Sequence, residues 1–500
     1  MNNPASPKIP LWLAFTLSAL SGILLTASMP GFDIPFIGWI ALVPLLVVLL
    51  TAEAKQVYLL ALPFGIIFSV GVHNWYPNIF PPALGYFLIL AVGTYYTGVL
   101  QLGVWLYSHL PAPLKLLGLP VSWAAIEFVK YITPIVQDWW FVLLADSQWR
   151  FPPALQILSI TGVFGASFLI MLVSVSLASL VIQMIKKDGK SYALSLVALL
   201  FAVLIVGSGA MSIRQPKSVF KIAVLTDMVN QDPLVLAQGE FAGVRVTSPE
   251  VSQAIFDTDA KLTRNIAAQN PAFVVFPENE FSDADDTQFI GQLSQLAQET
   301  NSYIAVDTLW NAPTGLHDTA LLMAPDGSEA ARRAKINITS GEANAGITAG
   351  PHEFSSTATP YGNVGVAICW DVHRLWIIRE LARADAKIIL LPMDNDFNGI
   401  TTFPPFYAAD AVFRAVENRV TFGLGTINGL SMVIDPYGRI TTEGKINERG
   451  VTVGETFTFE GKTIYTRLGD WFGWTLVAAL IGLIVVSMLK NMLPVNKNGG

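Results

Sequence analysis

Long apolar runs are the feature of this 500-residue sequence that most limits what it can fold into. Eight runs are each long enough to cross a lipid bilayer as a helix, which takes about 20 residues. They lie near 10–29, 33–51, 57–76, 83–108, 114–131, 160–184, 192–212 and 471–489. Seven precede residue 217 and the eighth follows residue 470, so the sequence predicts a multi-span α-helical membrane protein with one long segment between the last two spans.

Charge is distributed very unevenly between the two parts of the chain. Residues 1–217 hold 16 charged side chains, whereas the remaining 283 residues hold 51, of which 31 are acidic. Only 13% of the whole chain is charged, about half of the usual share in globular proteins. These numbers exclude an ordinary soluble enzyme and a disordered protein. Neither part has a basic stripe with interleaved aromatics, so nucleic acid is not an expected partner.

The segment between the last two spans has the pattern of an α/β domain. Short apolar, β-branched runs alternate with helical patterns at 289–299 and 374–384, which predicts sheets covered by helices. The predicted strands are 220–225, 273–276, 303–306, 364–368, 387–391, 420–428, 431–434 and 451–457. We therefore expect three parts: a membrane domain (1–217) with about seven transmembrane helices, a globular domain (218–465), and a C-terminal transmembrane helix with a short tail (466–500).

Basic residues in the short loops predict the orientation of the spans, because they accumulate on the cytoplasmic side. With eight spans and the N-terminus inside, eight basic residues are cytoplasmic and four are not. The cytoplasmic set is Lys8, Lys55, Lys115, Lys186, Lys187, Lys190, Lys490 and Lys497; the opposite set is Lys130, Arg150, Arg214 and Lys217. The globular domain is then expected outside the cytoplasm.

Three reactive side chains stand out in that domain. Glu278 follows an apolar strand, Lys335 ends a basic run, and Cys369 closes another apolar strand. Taken singly, they have ordinary interpretations: a surface carboxylate, a solvated charge and a buried thiol. Together they supply a nucleophile, a base for its proton and a cation for a developing negative charge, which is what acyl transfer through a thiol needs.

Metal and disulfide chemistry have no support in the sequence. Cys369 is the single cysteine, so neither an intramolecular disulfide nor a thiolate-rich metal site can form. The five histidines are scattered and show no metal-binding spacing. No metal and no cofactor are therefore expected.

Local motifs around these residues resemble the nitrilase, or carbon-nitrogen hydrolase, superfamily. Phe276-Pro277-Glu278 is similar to its Glu motif, and Ile368-Cys369-Trp370-Asp371 to its Cys motif. Arg414-Ala415-Val416-Glu417 resembles a helix of the same superfamily. The flanking spans, with Pro30-Gly31-Phe32-Asp33 and Ala41-Leu42-Val43-Pro44-Leu45, narrow the resemblance to the apolipoprotein N-acyltransferase family.

This resemblance implies a fold, a reaction and roles for named residues. The fold would be an α-β-β-α nitrilase-like sandwich with membrane spans. Glu278 would be the general base, Lys335 would stabilise the oxyanion, and Cys369 would be the nucleophile. Glu342, Trp370 and Asp371 would support them.

The reaction implied by the resemblance is the last step of lipoprotein maturation. An acyl chain would pass from a membrane phospholipid to Cys369, forming a thioester, and then to the N-terminal amine of a diacylglyceryl-cysteine lipoprotein. The resemblance also implies a multi-pass protein of the cell inner membrane, with its catalytic domain on the periplasmic side.

The sequence departs from the family where substrates would be recognised. Cys369-Trp370-Asp371 replaces the usual Cys-Tyr-Glu and is closer to soluble amidases, and Asp394–Gly399 replaces an expected Trp-Phe-Gly loop. A membrane-anchored amidase or nitrilase acting on a small amide is therefore a second hypothesis. A non-catalytic membrane receptor or transporter is a third.

One aromatic segment is a candidate substrate lid. Residues 397–407 form a predicted loop, and its aromatic side chains suit the membrane interface. The lid candidates are Phe397, Phe403 and Phe406. Ordinary loop packing over the sheet is the alternative.

Overall fold

A computed structural model describes residues 9–492 except 113, 135, 140–141, 187–199, 202, 205, 210, 212–218, 229–239, 242–243, 246–247, 279–280, 282 and 396–399. The chain divides into two compact units. One contains Met1–Met211 and Asp470–Gly500, and is called the membrane unit below. The other, Ser212–Gly469, is called the globular unit.

Helices make up the described part of the membrane unit. Five are long and apolar enough to cross a bilayer: Leu11–Ser28, Ala54–Val72, Pro82–His109, Val163–Lys186 and Trp471–Lys490. Shorter α-helices are Pro35–Gly38, Val43–Thr51, Tyr76–Ile79, Gly118–Ile132, Val136–Trp139, Pro152–Leu155 and Leu158–Thr161. Short 3₁₀ turns lie at Leu114–Leu117 and Leu144–Gln148.

The spans predicted at 33–51 and 114–131 are shorter or broken in the structure. The first contains two helices, Pro35–Gly38 and Val43–Thr51, and Pro35 stands in the first turn of the earlier one. Proline lacks the N–H that a helix interior needs, so it favours a helix start. The second corresponds to a helix of 15 residues, Gly118–Ile132. Most of the span predicted at 192–212 lies outside the described residues, and the count of eight stays a prediction.

Polar side chains inside the membrane unit hold the segment that follows Gly118–Ile132. The Glu127 carboxylate accepts hydrogen bonds from Trp123 Nε1 at 2.8 Å and from the Leu144 amide at 2.7 Å. Lys130 Nζ donates to the Val142 carbonyl at 2.6 Å. All three bonds are buried, where an unpaired polar group costs free energy. Glu127 and Lys130 therefore supply hydrogen-bond partners for the backbone at Leu144 and Val142.

The globular unit is built on strands that form an eleven-stranded sheet and a separate two-stranded hairpin. The strands are β1 (Val219–Thr226), β2 (Glu240–Phe241), β3 (Val244–Arg245), β4 (Phe273–Val275), β5 (Tyr303–Ala312), β6 (Gly315–Met323), β7 (Glu329–Ala334), β8 (Val364–Val366), β9 (Ile388–Asp394), β10 (Thr421–Ile427), β11 (Met432–Ile434), β12 (Ile440–Glu443) and β13 (Gly450–Phe457). β2 and β3 form the hairpin.

Six strands of the large sheet run parallel, in the order β8-β9-β10-β1-β4-β5. Antiparallel strands add to these six: β6 and β7 follow β5 at one end, and β11 and β12 branch from β10, which also pairs with β9. β13 pairs along the whole of β1. All eight predicted strands are present, and the predicted α/β fold is confirmed. The strands that were not anticipated are β2, β3, β6, β7 and β12.

Helices cover the sheet, as the alternating pattern predicts. They are Pro249–Ile266, Thr287–Thr300, Ser340–Asn344, Leu375–Arg383, Pro404–Asn418 and Ile464–Leu468, with 3₁₀ turns at Ala267–Gln269 and Cys369–His373. Apolar side chains of the first two helices, such as Phe256 and Leu293, share one buried cluster with β1, β4 and β5. The arrangement is a nitrilase-like α/β sandwich.

Side-chain caps fix where two of these helices begin. The Ser248 side chain accepts from the Val251 amide, and Pro249 takes the first helical position. Asp286 accepts from the Gln288 and Phe289 amides. Such caps satisfy amides that have no partner inside the helix. Each cap therefore fixes the residue at which its helix begins.

The carboxyl ends of parallel strands meet at one edge of a sheet, and this edge carries the polar residues. Thr226-Asp227 ends β1, Glu278 follows β4, Cys369 follows β8, Asp394 ends β9 and Asn428 follows β10. The topology thus gathers residues that are far apart in the chain.

Candidate active site

Glu278, Lys335 and Cys369 lie together at this edge of the sheet. Lys335 directly follows β7, so all three residues follow strands closely. Each side chain is almost completely buried: the exposed fraction is 6% for Glu278, 2% for Lys335 and 7% for Cys369. Three charged or reactive groups in one buried place need mutual pairing, because an isolated buried charge is costly.

Lys335 is the centre of the cluster. Its Nζ lies 2.6 Å from Glu278 Oε1 and 3.0 Å from Asp318 Oδ2, and it also donates a short hydrogen bond to Glu342. An ammonium carries three hydrogens, and three carboxylates surround this one. Because all four groups are buried, these contacts are hardly screened by water.

Cys369 begins a tight 3₁₀ turn, Cys369–His373, with a backbone φ of 39°. Positive φ is uncommon for a residue with a side chain and often marks a functional position. Its Sγ lies 3.7 Å from the Asp394 carbonyl oxygen, and the thiol also hydrogen-bonds to Glu278. The nucleophile candidate and the base candidate are therefore in direct contact.

The Glu278 carboxylate is held from two sides. Oε1 accepts from Lys335, and Oε2 accepts from the Asp394 amide at 2.7 Å. The Glu278 amide in turn donates to the Met393 carbonyl at 3.3 Å. The end of β9 thus fixes both the backbone and the side chain of Glu278.

Burial and neighbouring negative charges both favour the protonated forms of Glu278 and Cys369. Burial raises the pKa of Glu278 well above its usual value; Asp318, Glu342 and Asp394 add to the rise, and Lys335 opposes it. Burial and the neighbouring Glu278 raise the pKa of the Cys369 thiol in the same direction. A carboxyl group whose pKa is moved towards neutrality suits a general base.

Lys335 itself stays charged. Burial alone would lower the pKa of the ammonium, but Glu278, Glu342 and Asp318 raise it well above the usual value. A permanent cation beside a nucleophile can stabilise an oxyanion that forms on an attacked carbonyl.

Glu342 reaches Lys335 from the helix Ser340–Asn344. Thr339 caps this helix: its side chain accepts from the Glu342 amide, and the Glu342 carboxylate accepts from the Thr339 amide. This reciprocal cap fixes the Glu342 side chain while one of its oxygens contacts Lys335.

Asp371 joins the Cys369 turn to the residues after Lys335. Its Oδ1 accepts from the Ile336 amide at 3.2 Å and from the Asn337 amide at 2.8 Å. The Asn337 side chain donates to the Trp370 carbonyl at 2.7 Å. Asp371 therefore joins the turn that contains Cys369 to the segment that follows Lys335.

Trp370 packs in an aromatic group next to the turn. Its ring lies 4.8 Å from that of Tyr407 and 5.0 Å from that of His373. Burial raises the pKa of the Tyr407 hydroxyl, and the charge on Cys369 adds to this rise. Trp370 thus supports the turn through packing.

The predicted lid residues have different outcomes. Phe397 lies outside the described residues. Phe403 and Phe406 are buried, and the Phe403 ring packs against Tyr407 at 5.3 Å. The expectation of a loop through residue 407 is wrong, because a helix begins at Pro404, where two prolines occupy its first turn.

Three further residues lie at the site: Asp318 inside β6, Asp394 at the end of β9, and Tyr407 on the helix Pro404–Asn418. Asp394 and Tyr407 belong to the segments Asp394–Gly399 and 397–407, which the sequence had singled out, but Asp318 was not anticipated. Asp318 gave no local signal, because its proximity to Lys335 depends on the pairing of β6 with β7.

The carboxylates of Glu278, Asp318 and Glu342 lie within 4.8 Å of one another, a spacing that could also suit a metal ion. The Lys335 ammonium contacts all three. The ammonium supplies the positive charge that balances the three carboxylates. These carboxylates therefore form a binding site for the lysine side chain and do not fit a metal ion.

Comparisons with known proteins agree with this geometry. Residues 21–176 match the family described as "Apolipoprotein N-acyltransferase N-terminal domain", and residues 249–456 match "Carbon-nitrogen hydrolase". The apolipoprotein N-acyltransferase of Geobacter metallireducens is 26% identical, with 95% of each chain covered. The chain is similar to apolipoprotein N-acyltransferases along nearly its whole length.

Other relatives extend the comparison. Apolipoprotein N-acyltransferase 1 of Treponema denticola is 22% identical, with 94% of this chain and 95% of the relative covered. A solved structure of an amidase from Nesterenkonia sp. is 18% identical, with a TM-score of 0.40, and covers 54% of this chain and 97% of its own. The matches to the two N-acyltransferases cover nearly the whole chain, so they include both the membrane unit and the globular unit.

Proposed function

We propose that this protein transfers an acyl chain to the N-terminal amine of a lipoprotein through a thioester on Cys369. The observation that carries the proposal is the buried contact of three groups: Glu278 hydrogen-bonds both to the Cys369 thiol and to Lys335. Nucleophile, base and cation are thus assembled before any substrate is bound. Preorganisation of this kind lowers the barrier to acyl transfer.

In the first step, Cys369 Sγ attacks the ester carbonyl carbon of a membrane phospholipid, and Glu278 takes the thiol proton. Lys335 stabilises the negative charge on the carbonyl oxygen of the tetrahedral intermediate. The bond from this carbon to the glycerol oxygen then breaks, and Glu278 returns its proton to that oxygen. The products are a lysophospholipid and an acyl thioester on Cys369.

In the second step, the α-amine of a diacylglyceryl-modified N-terminal cysteine attacks the thioester carbonyl. The carbon–sulfur bond breaks, and the proton lost by the amine passes through Glu278 to Cys369 Sγ. The products are an amide and the free thiol. Glu278 thus acts as a base and then as an acid in each step, as a carboxyl with a raised pKa can.

Both substrates of this reaction are lipids, and the chain has five helices, among the described residues, that could cross a membrane. We infer that the catalytic unit works at the surface of a cell membrane. The bias of basic residues supports the outer, periplasmic side of an inner membrane. A reporter fused at Ser218 should be active outside the cytoplasm; a cytoplasmic signal would overturn this orientation.

The transfer itself is tested with the full chain in detergent, a phospholipid and a diacylglyceryl-cysteine peptide. We expect N-acylated peptide and lysophospholipid in equal amounts. The C369S and E278Q variants should form neither, whereas D257N, which changes an exposed carboxylate on the helix Pro249–Ile266, should match the parent. Lysophospholipid and free fatty acid without acylated peptide would contradict the proposal.

The two alternative hypotheses are not favoured. Relatives that match along nearly the whole chain are N-acyltransferases, and neither a receptor nor a transporter requires the contacts among Glu278, Lys335 and Cys369. Hydrolysis of a small amide by the parent, without any acyl transfer from phospholipid, would restore the amidase hypothesis.

A further inference from the structure

Asp318 is a buried carboxylate at the site that the triad of Glu278, Lys335 and Cys369 leaves without a role. It lies on β6, next to Thr319, which pairs with Ala334 at the end of β7. The Lys335 amide donates to the Asp318 carbonyl at 2.8 Å, and Lys335 Nζ lies 3.0 Å from Asp318 Oδ2. One residue therefore holds both the backbone and the ammonium of Lys335.

The other two carboxylates around Lys335 also make other contacts. Glu278 faces the thiol and accepts from the Asp394 amide, and Glu342 closes the cap of its helix. Asp318 is completely buried, and its carboxylate interacts with Lys335, with Asp307 on β5 and with Glu342. It is thus the contact that keeps the ammonium on the strand side of the cluster.

We propose that Asp318 is a positioning residue that fixes the Lys335 ammonium between Glu278 and Glu342, where it can act on Cys369. The kinetic part of this inference rests on the proposed acyl transfer, whereas the positioning part does not. With Asp318 uncharged, Nζ would keep two partners instead of three and could move away from the thiol.

The groups that act on Cys369 come from several elements. They are Glu278 after β4, Lys335 after β7, Glu342 on its helix and the Tyr407 hydroxyl on the helix Pro404–Asn418. Lys335 favours a thiolate at Cys369, whereas Glu278 and Glu342 oppose one. Although burial opposes its ionisation, Lys335 lowers the pKa of Asp318, so this carboxylate remains charged near neutral pH.

Loss of that contact has a predictable sign. If Lys335 moves away from Cys369, a thiolate loses a cation that favours it, so the pKa of the thiol rises. An interaction of a few kcal/mol between two charges at a protein site corresponds to a shift of about one to two pH units.

The experiment uses Cys369 as the only thiol of the full chain in detergent. The rate of its alkylation by iodoacetamide is measured against pH for the parent and D318N, which has the same shape without the charge. We expect the midpoint of D318N to lie higher by about one to two pH units. We also expect kcat for acyl transfer to fall by about tenfold or more at unchanged KM, because Lys335 is misplaced.

Two further variants keep the result interpretable. D326N removes an exposed carboxylate from the turn after β6 and should leave the midpoint and kcat at parent values. If D318N does not fold, D318S, which is smaller and also neutral, must show the same upward shift. A merely structural role would reduce the amount of folded protein without moving the midpoint.

An unchanged midpoint in a folded neutral variant would overturn the inference, as would an unchanged kcat. The alkylation assay needs no lipid, so it separates this inference from the proposed function. A shifted midpoint in a protein whose parent never transfers an acyl chain would support the positioning of Lys335 by Asp318 and refute the acyl transfer.

Discussion

Replacement of Lys335 by methionine tests the electrostatic balance of the site. K335M keeps much of the side-chain volume but removes the charge that contacts Glu278, Asp318 and Glu342. Removal of one partner from a buried ion pair costs about 3–5 kcal/mol. For a domain of this size, 1 kcal/mol corresponds to about 2–4 °C in Tm, so we expect a fall of about 6–20 °C.

The loss of stability in K335M should be larger at higher pH. The pKa of Glu278 in the folded protein already lies well above its ordinary value of 4.5, and without Lys335 it rises further. A carboxyl with a raised folded pKa binds more protons in the folded state, so stability falls as pH increases from the unfolded pKa through the folded one. The raised pKa of Lys335 keeps its own contribution fully present in the parent below pH 10.

Thermal unfolding can be followed with a thiol-reactive fluorophore, since the buried Cys369 reports the globular unit alone. The Tm deficit of K335M relative to the parent should be larger near pH 8 than near pH 6. K445M is the matched control, because Lys445 is 76% exposed in its ion pair with Glu448 and should change Tm little. Equal deficits at both pH values, or a K335M deficit no larger than that of K445M, would refute the reasoning.

Two other changes test how the scaffold holds the site. D371A leaves the Ile336 and Asn337 amides without their acceptor, so kcat for acyl transfer should fall by about tenfold or more. G425A places a methyl group 2.5 Å from the Val275 carbonyl oxygen and 2.7 Å from that of Phe276, so unfolding should become easier by about 1–3 kcal/mol or more. G291A, on a helix where no atom lies within 4 Å of the new methyl group, should be neutral or stabilising by up to about 1 kcal/mol in thermal unfolding.

Each of these predictions has a result that would contradict it. Parent-like kcat in folded D371A would show that the two amides do not position Lys335; D257A, an exposed change on the helix Pro249–Ile266, is its control. A G425A protein as stable as G291A would mean that β4 and β10 are not as close as the structure places them.

Much of the globular fold could be predicted because local patterns matched the final structure. Runs such as 220–225 and 387–391 are apolar and β-branched, and they became the buried strands β1 and β9. Strands β6 and β7 escaped prediction because His317, Asp318, Arg332 and Arg333 interrupt their apolar pattern. Their identity as strands depends on pairing with β5 and with each other.

The site shows the same division between local and long-range information. Glu278 and Cys369 could be found because each directly follows an apolar strand, where functional residues concentrate. The role of Asp318 could not be read from the sequence, since it depends on the register of β6 against β7. The start of the helix at Pro404 had a local signal, two consecutive prolines, that the aromatic pattern of 397–407 obscured.

The most direct test of the account is the intact mass of the full chain after incubation with phospholipid alone. It predicts a gain of one acyl chain on Cys369 that hydroxylamine removes and that a diacylglyceryl-cysteine peptide accepts. C369S and E278Q should show no gain. A parent protein that never gains the acyl mass, or a C369S variant that gains it equally, would contradict the thioester at Cys369.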